Sequence, residues 1–316
     1  MSSPWTTENI PLQHGRSVIV TGTGGIGFET ALAISRAGGD VVIAGRNSQK
    51  GNDAVARIKR SVPNATVAFE PVDLGNLQSI AAFGGRLREN RESVDVLINN
   101  AGVMTPPRRN TTSNGFELQF GTNYLSHFAL TAHLLPLLRR GDEPRVVSVS
   151  SVAARSGVIN FDDLQAERSY KPMPVYAQSK LACLMFAFEL QRRSDANGWG
   201  VSSIAAHPGV SRTDLLHNAP GRHSPMGLVR SYMWFLFQPA AQGALPSLFA
   251  ATSASARGGE YYGPDKLGET RGYPTNAKRP QQSLDTEVAN RLWDVSESLT
   301  GVTFSSGPAS AVAIAR

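Results

Sequence analysis

Arg16-Ser-Val-Ile-Val-Thr21 runs straight into Gly22-Thr-Gly-Gly-Ile-Gly27, and Phe28 to Ala37 follows with Ile26, Thr30, Ala33 and Ala37 at helical spacing. The β-branched run predicts a buried strand, and the periodic stretch after it predicts a helix. Strand, glycine turn and helix in that order turn a Gly-x-Gly-x-x-Gly match into a dinucleotide fingerprint. Gly22 permits the tight turn, Gly24 lets the backbone approach a pyrophosphate, and Gly27 allows close helix packing. The turn and first helical residues, Thr23, Gly25 and Ile26 included, offer N–H groups and a partial positive charge to phosphate.

The same alternation continues downstream. Asp40-Val-Val-Ile-Ala-Gly45 predicts a second strand, ending at Arg46 and Asn47. In a dinucleotide fold an acid at this point binds free ribose hydroxyls, whereas an arginine accommodates the 2′-phosphate of NADP(H). Arg46 is planar and permanently charged, suited to a bidentate phosphate contact, and Lys50 lies one turn further on. A helix is expected over 48–61, a strand over 65–70, then Val72-Asp73-Leu74, a helix over 77–89, and the strand 94–98 leading into Asn99-Asn100-Ala101-Gly102. Strands separated by helical patterns imply one α/β domain, a Rossmann-type doubly wound parallel sheet with helices on both faces. Ligands of such sheets lie beyond the carboxyl ends of the strands, where Gly22, Arg46, Asp73 and Asn100 all fall. Asp73 can equally cap a helix, and Asn99-Asn100 can equally form a turn.

A long helix is expected from about 115 to 140, with Asn123, a poor helix former, well inside it. Arg145-Val-Val-Ser-Val-Ser150 predicts the next strand, with Ser151 at its carboxyl end. An insertion from Ser156 to Pro174 separates that strand from a helix carrying Tyr176-Ala-Gln-Ser-Lys180. Residues four apart share a helix face, so phenol and ammonium point into the same space. An ammonium held near a phenol favours the phenolate, which suits a proton transfer to or from an alcohol oxygen.

Taken in order, these segments resemble the short-chain dehydrogenase/reductase family. The residues that carry the resemblance are the glycine turn, Asn99-Asn100-Ala101-Gly102, Asn123, Ser150-Ser151, Tyr176-x-x-x-Lys180 and Pro208-Gly209-x-x-x-Thr213. Arg46 and the long serine-to-tyrosine insertion are similar to the retinol-dehydrogenase and carbonyl-reductase-like branch. The resemblance implies that Tyr176 is the acid or base and that Lys180 assists it and holds the nicotinamide ribose. It further implies that Ser151 bonds the substrate oxygen, that Asn123 supports a water relay to Lys180, and that Thr213 with the backbone of Pro208, Gly209 and Val210 fixes the carboxamide. Asp73, Leu74, Asn100, Ala101 and Gly102 fall on the cofactor side. The family turn reads Thr-Gly-x-x-x-Gly-x-Gly, whereas only Thr23 and Gly24 separate Gly22 from Gly25 here. The missing residue removes a side chain that touches the adenosine ribose or 2′-phosphate. It is the one feature favouring an alternative, a catalytically idle NADP(H)-binding sensor.

The remainder bounds the reading. Val201 to Ala206 predicts a strand, and His207 is read as a packed strand-end residue. The run 232–237, Tyr-Met-Trp-Phe-Leu-Phe, is read as part of a substrate lid spanning about 214–238, in preference to an oligomer contact or a membrane-surface helix. A helix over 240–252, a last strand at 259–262 and a helix over 284–299 complete the domain. Expected organisation is a lead-in at 1–15, one domain at 16–300 and a flexible tail at 301–316. Lys+Arg number 31 against 25 Asp+Glu, a net charge of +6 spread over scattered pairs. Without a basic stripe or aromatic platform, nucleic acid is not the expected partner. The single cysteine, Cys183, permits no intrachain disulfide, no stretch is apolar enough to span a bilayer, and no metal site is read. A cytoplasmic monomer or dimer acting on a bulky apolar or aromatic aldehyde, ketone or alcohol is therefore expected.

Overall fold

Val18, Ile19 and Val20 are buried to within a per cent of completely, as a strand covered on both faces must be. They form β1 (Ser17–Thr21) at the centre of an eight-stranded sheet. The computed structural model describes residues 4–211 and 238–304, so Thr213 and the aromatic run 232–237 lie outside the described residues. Along the chain come α1 (Gly25–Arg36), β2 (Asp40–Gly45), α2 (Ser48–Ser61), β3 (Val67–Pro71), α3 (Leu77–Asn90) and β4 (Val96–Asn99). A single turn α4 (Leu118–Phe120), α5 (Ser126–Leu138), β5 (Arg145–Val149), α6 (Pro172–Asn197) and β6 (Ser202–Ala206) follow. The chain closes with α7 (Ala240–Thr252), β7 (Tyr261–Lys266), β8 (Arg271–Asn276) and α8 (Thr286–Thr300).

Strand order is β3-β2-β1-β4-β5-β6-β7-β8, parallel throughout except for β8, which pairs antiparallel with β7. The first six strands thus have the expected doubly wound order, with the chain reversing between β1 and β4. Successive side chains of a strand point to opposite faces, and two cores result. Ile19, Leu97 and Val146 meet α3, α5, α6 and α8 on one face. Val18, Val20, Val96, Ile98 and Val147 meet α1, α2 and α7 on the other.

Several boundaries differ from expectation for physical reasons. The helix through Asn123 is not continuous: a π turn, Gly121–Leu125, separates α4 from α5. The cap of α3 is Asn76, whose side chain accepts from Gln78 N and Ser79 N, and not Asp73, the cap that the sequence offered. Strand β8, Arg-Gly-Tyr-Pro-Thr-Asn, has no alternating pattern and contains Gly272 and Pro274, so its sequence does not announce a strand. At the chain start Trp5 packs edge-on against Phe249 of α7, which ties the lead-in to the domain. At the other end Phe304 lies 4.5 Å from the Trp293 ring, so the packed structure extends past 301.

Candidate active site at the carboxyl edge of the sheet

The nucleotide turn is held by main-chain contacts. Gly22 has φ +102°, a region that L side chains rarely adopt, and its N–H donates to Ala44 O at the end of β2 (2.7 Å). A methyl group on Gly27 would lie 2.5 Å from Gly22 O, so only glycine lets α1 sit this close. Helix α1 begins at Gly25 with exposed Gly24 as its cap and no side-chain cap bond, leaving first-turn N–H groups for a ligand. Thr23 lies over the end of β2, where a methyl on Gly45 would lie 3.0 Å from Thr23 Cγ2. Arg46 is exposed at the carboxyl end of β2 and carries no ion pair among the described residues. Asn47 caps α2 by accepting from Lys50 N, which sets Lys50 in the first turn with an exposed side chain. Half-buried Asp73 turns the chain after β3 by accepting from Gly75 N, and Leu74 is buried beside it.

One hydroxyl joins this turn to the next strand end. Thr21 Oγ1 accepts from both Asn100 N and Ala101 N (2.9 Å each), while Asn100 Nδ2 donates to Thr21 O. The same hydroxyl lies 3.0 Å from His127 Nε2, and His127 Nδ1 lies 2.9 Å from Asn123 O. A neutral imidazole protonated on Nδ1 satisfies both contacts: it donates to the carbonyl and accepts from the threonine. Burial drives the His127 pKa down to about 4, further lowered by the Lys180 charge against the opposing effect of the Asn123 carbonyl.

Asn123 occupies the π turn, a feature frequent at functional sites. Its side chain accepts from Val103 N and donates to Val103 O and Ser179 Oγ. Its carbonyl accepts from His127 and from the Cys183 thiol (3.1 Å). The residue thereby ties the loop after β4 to α6.

Helix α6 carries Tyr176 and Lys180 on one face, both buried at 8% and 5% exposure. Lys180 Nζ donates to Val149 O at the end of β5 (2.9 Å), and a methyl on Gly102 would lie 3.6 Å from it. The ammonium is therefore fixed between the ends of β4 and β5. The Tyr176 phenol has no hydrogen-bond partner among the described residues. The two serines separate cleanly. Ser150 Oγ is buried and donates to Lys180 O, bracing the helix. Ser151 is half-buried, accepts from Ala153 N, and keeps its proton free to donate.

Beyond β6, the Pro208–Val210 main chain is committed within the protein. Gly209 N donates to His207 Nδ1, Val210 N to Thr270 O, and Gln238 N to Val210 O. Thr213, also expected to meet the carboxamide, lies outside the described residues. His207 is fully buried and its pKa is lowered by burial, opposed by Glu269. The neutral ring donates from Nε2 to Glu269 Oε2 at 3.0 Å. Among the described residues no cluster of side chains could hold a metal ion, and no helix is long and apolar enough to cross a membrane.

Residues 16–222 match the short chain dehydrogenase family. The chain belongs to that family. Retinol dehydrogenase 13 of Mus musculus is 38% identical over 304 residues, covering 93% of this chain and 86% of the relative. Polyprenol dehydrogenase of Homo sapiens is 38% identical over 300 residues, covering 92% and 87% respectively. Among solved structures, a protein from Mycobacterium Paratuberculosis superposes with a TM-score of 0.79 at 36% identity, covering 96% of this chain and all of that one. As a short chain dehydrogenase the protein is an oxidoreductase with a nucleotide-binding Rossmann sheet. Three residues packed against these candidates were passed over in the sequence: His127 on Thr21, Glu269 on His207, and Arg155 on Glu269. The spacing of His127, four after Asn123, places both on one helix face and was a usable signal; Arg155 and Glu269 offer none.

Proposed function

We propose that this short chain dehydrogenase transfers hydride between NADP(H) and a bulky apolar aldehyde or ketone, or the matching alcohol. The observation that carries the reading is that Tyr176, whose phenol has no partner among the described residues, shares a helix face with Lys180, whose ammonium is held on Val149 O at the end of the strand leading to half-buried Ser151. When bound, the nicotinamide supplies or accepts the hydride. Ser151 donates a hydrogen bond to the substrate oxygen and stabilises charge developing there. Tyr176 gives the proton to that oxygen, or removes it in the oxidative direction, with the Lys180 ammonium on the same helix face. Asn123 holds the loop after β4 against α6, keeping Lys180 close to Gly102, where the ribose is expected.

The chain fits the cofactor by its own features: an uncapped helix start behind Gly24, a cradle at Gly22 and Gly27 that a side chain would fill, and an exposed arginine ending β2 where NAD-specific sites carry an acid. An apolar substrate is supported by the aromatic run 232–237 and by relatives named for retinol and polyprenol, both long apolar alcohols. We place the enzyme in a reducing cytoplasm, consistent with the free, buried thiol of Cys183. We also propose a monomer, or a dimer through a surface other than α5 and α6. Trp293 of α8 lies on Phe128 and Phe186 of those two helices and covers them, so a stable tetramer by light scattering contradicts this. Titrating NADPH fluorescence and then adding a panel of aldehydes and ketones tests the main reading. Cofactor binding without turnover on any of them sinks it.

A further inference from the structure

Strands β5 and β6 carry the two segments that must face each other across the reacting atoms. Their ladder ends at Val149 opposite Ala206, with one more bond from Ser150 N to Ala206 O. Past that point Ser151 leads into a 3₁₀ turn, Val152–Ser156, while His207 turns to pair with Tyr262 of β7. Among the described residues, no main-chain hydrogen bond joins the serine turn to the Pro208–Gly209 turn.

A carboxylate spans the gap, alongside Tyr261, whose hydroxyl donates to Ser151 O (3.4 Å) and whose ring lies 5.1 Å from that of His207. Glu269 Oε2 meets Arg155, on the serine turn, and His207 Nε2, whose Nδ1 accepts from Gly209 N. Glu269 Oε1 accepts from Lys278 N after β8 (2.9 Å), so the carboxylate is itself fixed. Arg155 donates a second bond to Gly268 O (3.1 Å). The carboxyl stays ionised: burial opposes this, but the bonds from His207 and Lys278 and the Arg155 charge outweigh it. The hairpin tip bearing Glu269 is held at a backbone cost, since Leu267, Gly268 and Glu269 have φ of +48°, +66° and +68°. Two of these are non-glycine residues in the left-handed region, which persists only where surrounding contacts over-determine it and clusters at functional sites.

We propose that Glu269 is a positioning residue of the active site, fixing the Ser151 turn against the Pro208–Gly209 turn through Arg155 and His207. The proposal rests on the carbonyl-reductase reading, in which the first turn holds the substrate oxygen and the second borders the nicotinamide. Misplacement of reacting groups by about 1 Å costs on the order of a hundredfold in rate, so a crosslink between these turns acts on the rate of the chemical step more than on binding. The ion pair alone is half-exposed at Arg155 and of little worth to stability.

The test uses Glu269→Gln and Arg155→Met in the full chain with NADPH and a bulky aldehyde. Each is expected to lower kcat about 10- to 100-fold, with KM and NADPH affinity within about threefold of the wild type. The double variant is expected to lose no more than the worse single one, as members of one network do. A merely structural role would lower the melting temperature and leave kcat per folded molecule unchanged. Crystal structures of wild type and Glu269→Gln with NADPH give a readout independent of turnover: the separation of Ser151 Oγ from Gly209 N is expected to shift. An active wild type with normal kcat in both folded variants and an unshifted separation overturns the proposal. An inactive wild type whose separation still shifts sinks the reductase reading alone. If Glu269→Gln does not fold, Arg155→Met carries the same measurements.

Discussion

The two halves of the sheet secure their active-site loops by different means. Around β1 and β4 the work is done by main chain and neutral hydroxyls: Gly22 N on Ala44 O, Thr21 Oγ1 on the N–H groups of Asn100 and Ala101, Asn100 Nδ2 on Thr21 O. Around β5 to β8 side chains from distant segments are joined, charged Arg155 and Glu269 together with neutral His207. The buried histidines show the contrast in one residue type. His127 faces only a hydroxyl and a carbonyl, whereas His207 faces a carboxylate. A backbone cradle suits a cofactor whose phosphates and ribose do not vary. A side-chain crosslink can be altered residue by residue, as a substrate side requires.

Four experiments sharpen or break that contrast. Tyr176→Phe, on the catalytic side, is expected to lower kcat about a thousandfold, within the range that general acids contribute, and to leave NADPH affinity unchanged. Near-normal turnover would require a different acid. Next in free energy is the pH dependence of stability. His127 has a folded pKa of about 4 against an unfolded value of 6.5, so the unfolded chain takes up its proton first. Its contribution is complete above pH 6.5 and declines as pH falls toward 4, by about 3 kcal/mol in all. Urea denaturation of wild type and His127→Gln between pH 7 and 4 should show a flatter slope in the variant. Equal slopes would mean that the ring is not buried neutral. Third, Ser151→Ala is expected to lower kcat about a hundredfold, as loss of one oxyanion donor does, while Ser150→Ala leaves kcat nearly intact and lowers the melting temperature. The reverse order of kcat losses would exchange the serines' roles. Last, Arg46→Asp should weaken NADPH binding by about tenfold and favour NADH, for the loss of one charge-assisted contact. Equal wild-type affinities for the two cofactors would remove Arg46 from the phosphate site.

The same contrast explains what could be read before the fold was seen. Gly22, Gly24 and Gly27 act through local backbone, and Tyr176 and Lys180 share one helical turn, so their spacing was legible, while the roles expected of the tyrosine and lysine came from the family resemblance. Arg155, His207 and Glu269 meet only after β7 and β8 have folded back, and β8 hides its strand character behind Gly272 and Pro274. The choice between Ser150 and Ser151 rested on family order; their separate environments became visible only once α6 lay across β5. The π turn at Asn123 was foreshadowed by a poor helix former in a helical stretch, although the imidazole that ties it to Thr21 was not.

Prolines at the two margins of the sheet bear on how the protein behaves in concentrated solution. The outermost strands are β3 and β8, and each contains a proline, Pro71 and Pro274, which removes a main-chain donor. An open strand margin is a template on which another chain can add, leading to swapped assemblies and fibres. Here both margins are interrupted, and β8 carries Arg271 at its start as well. Such a sheet resists growth by strand addition at either side.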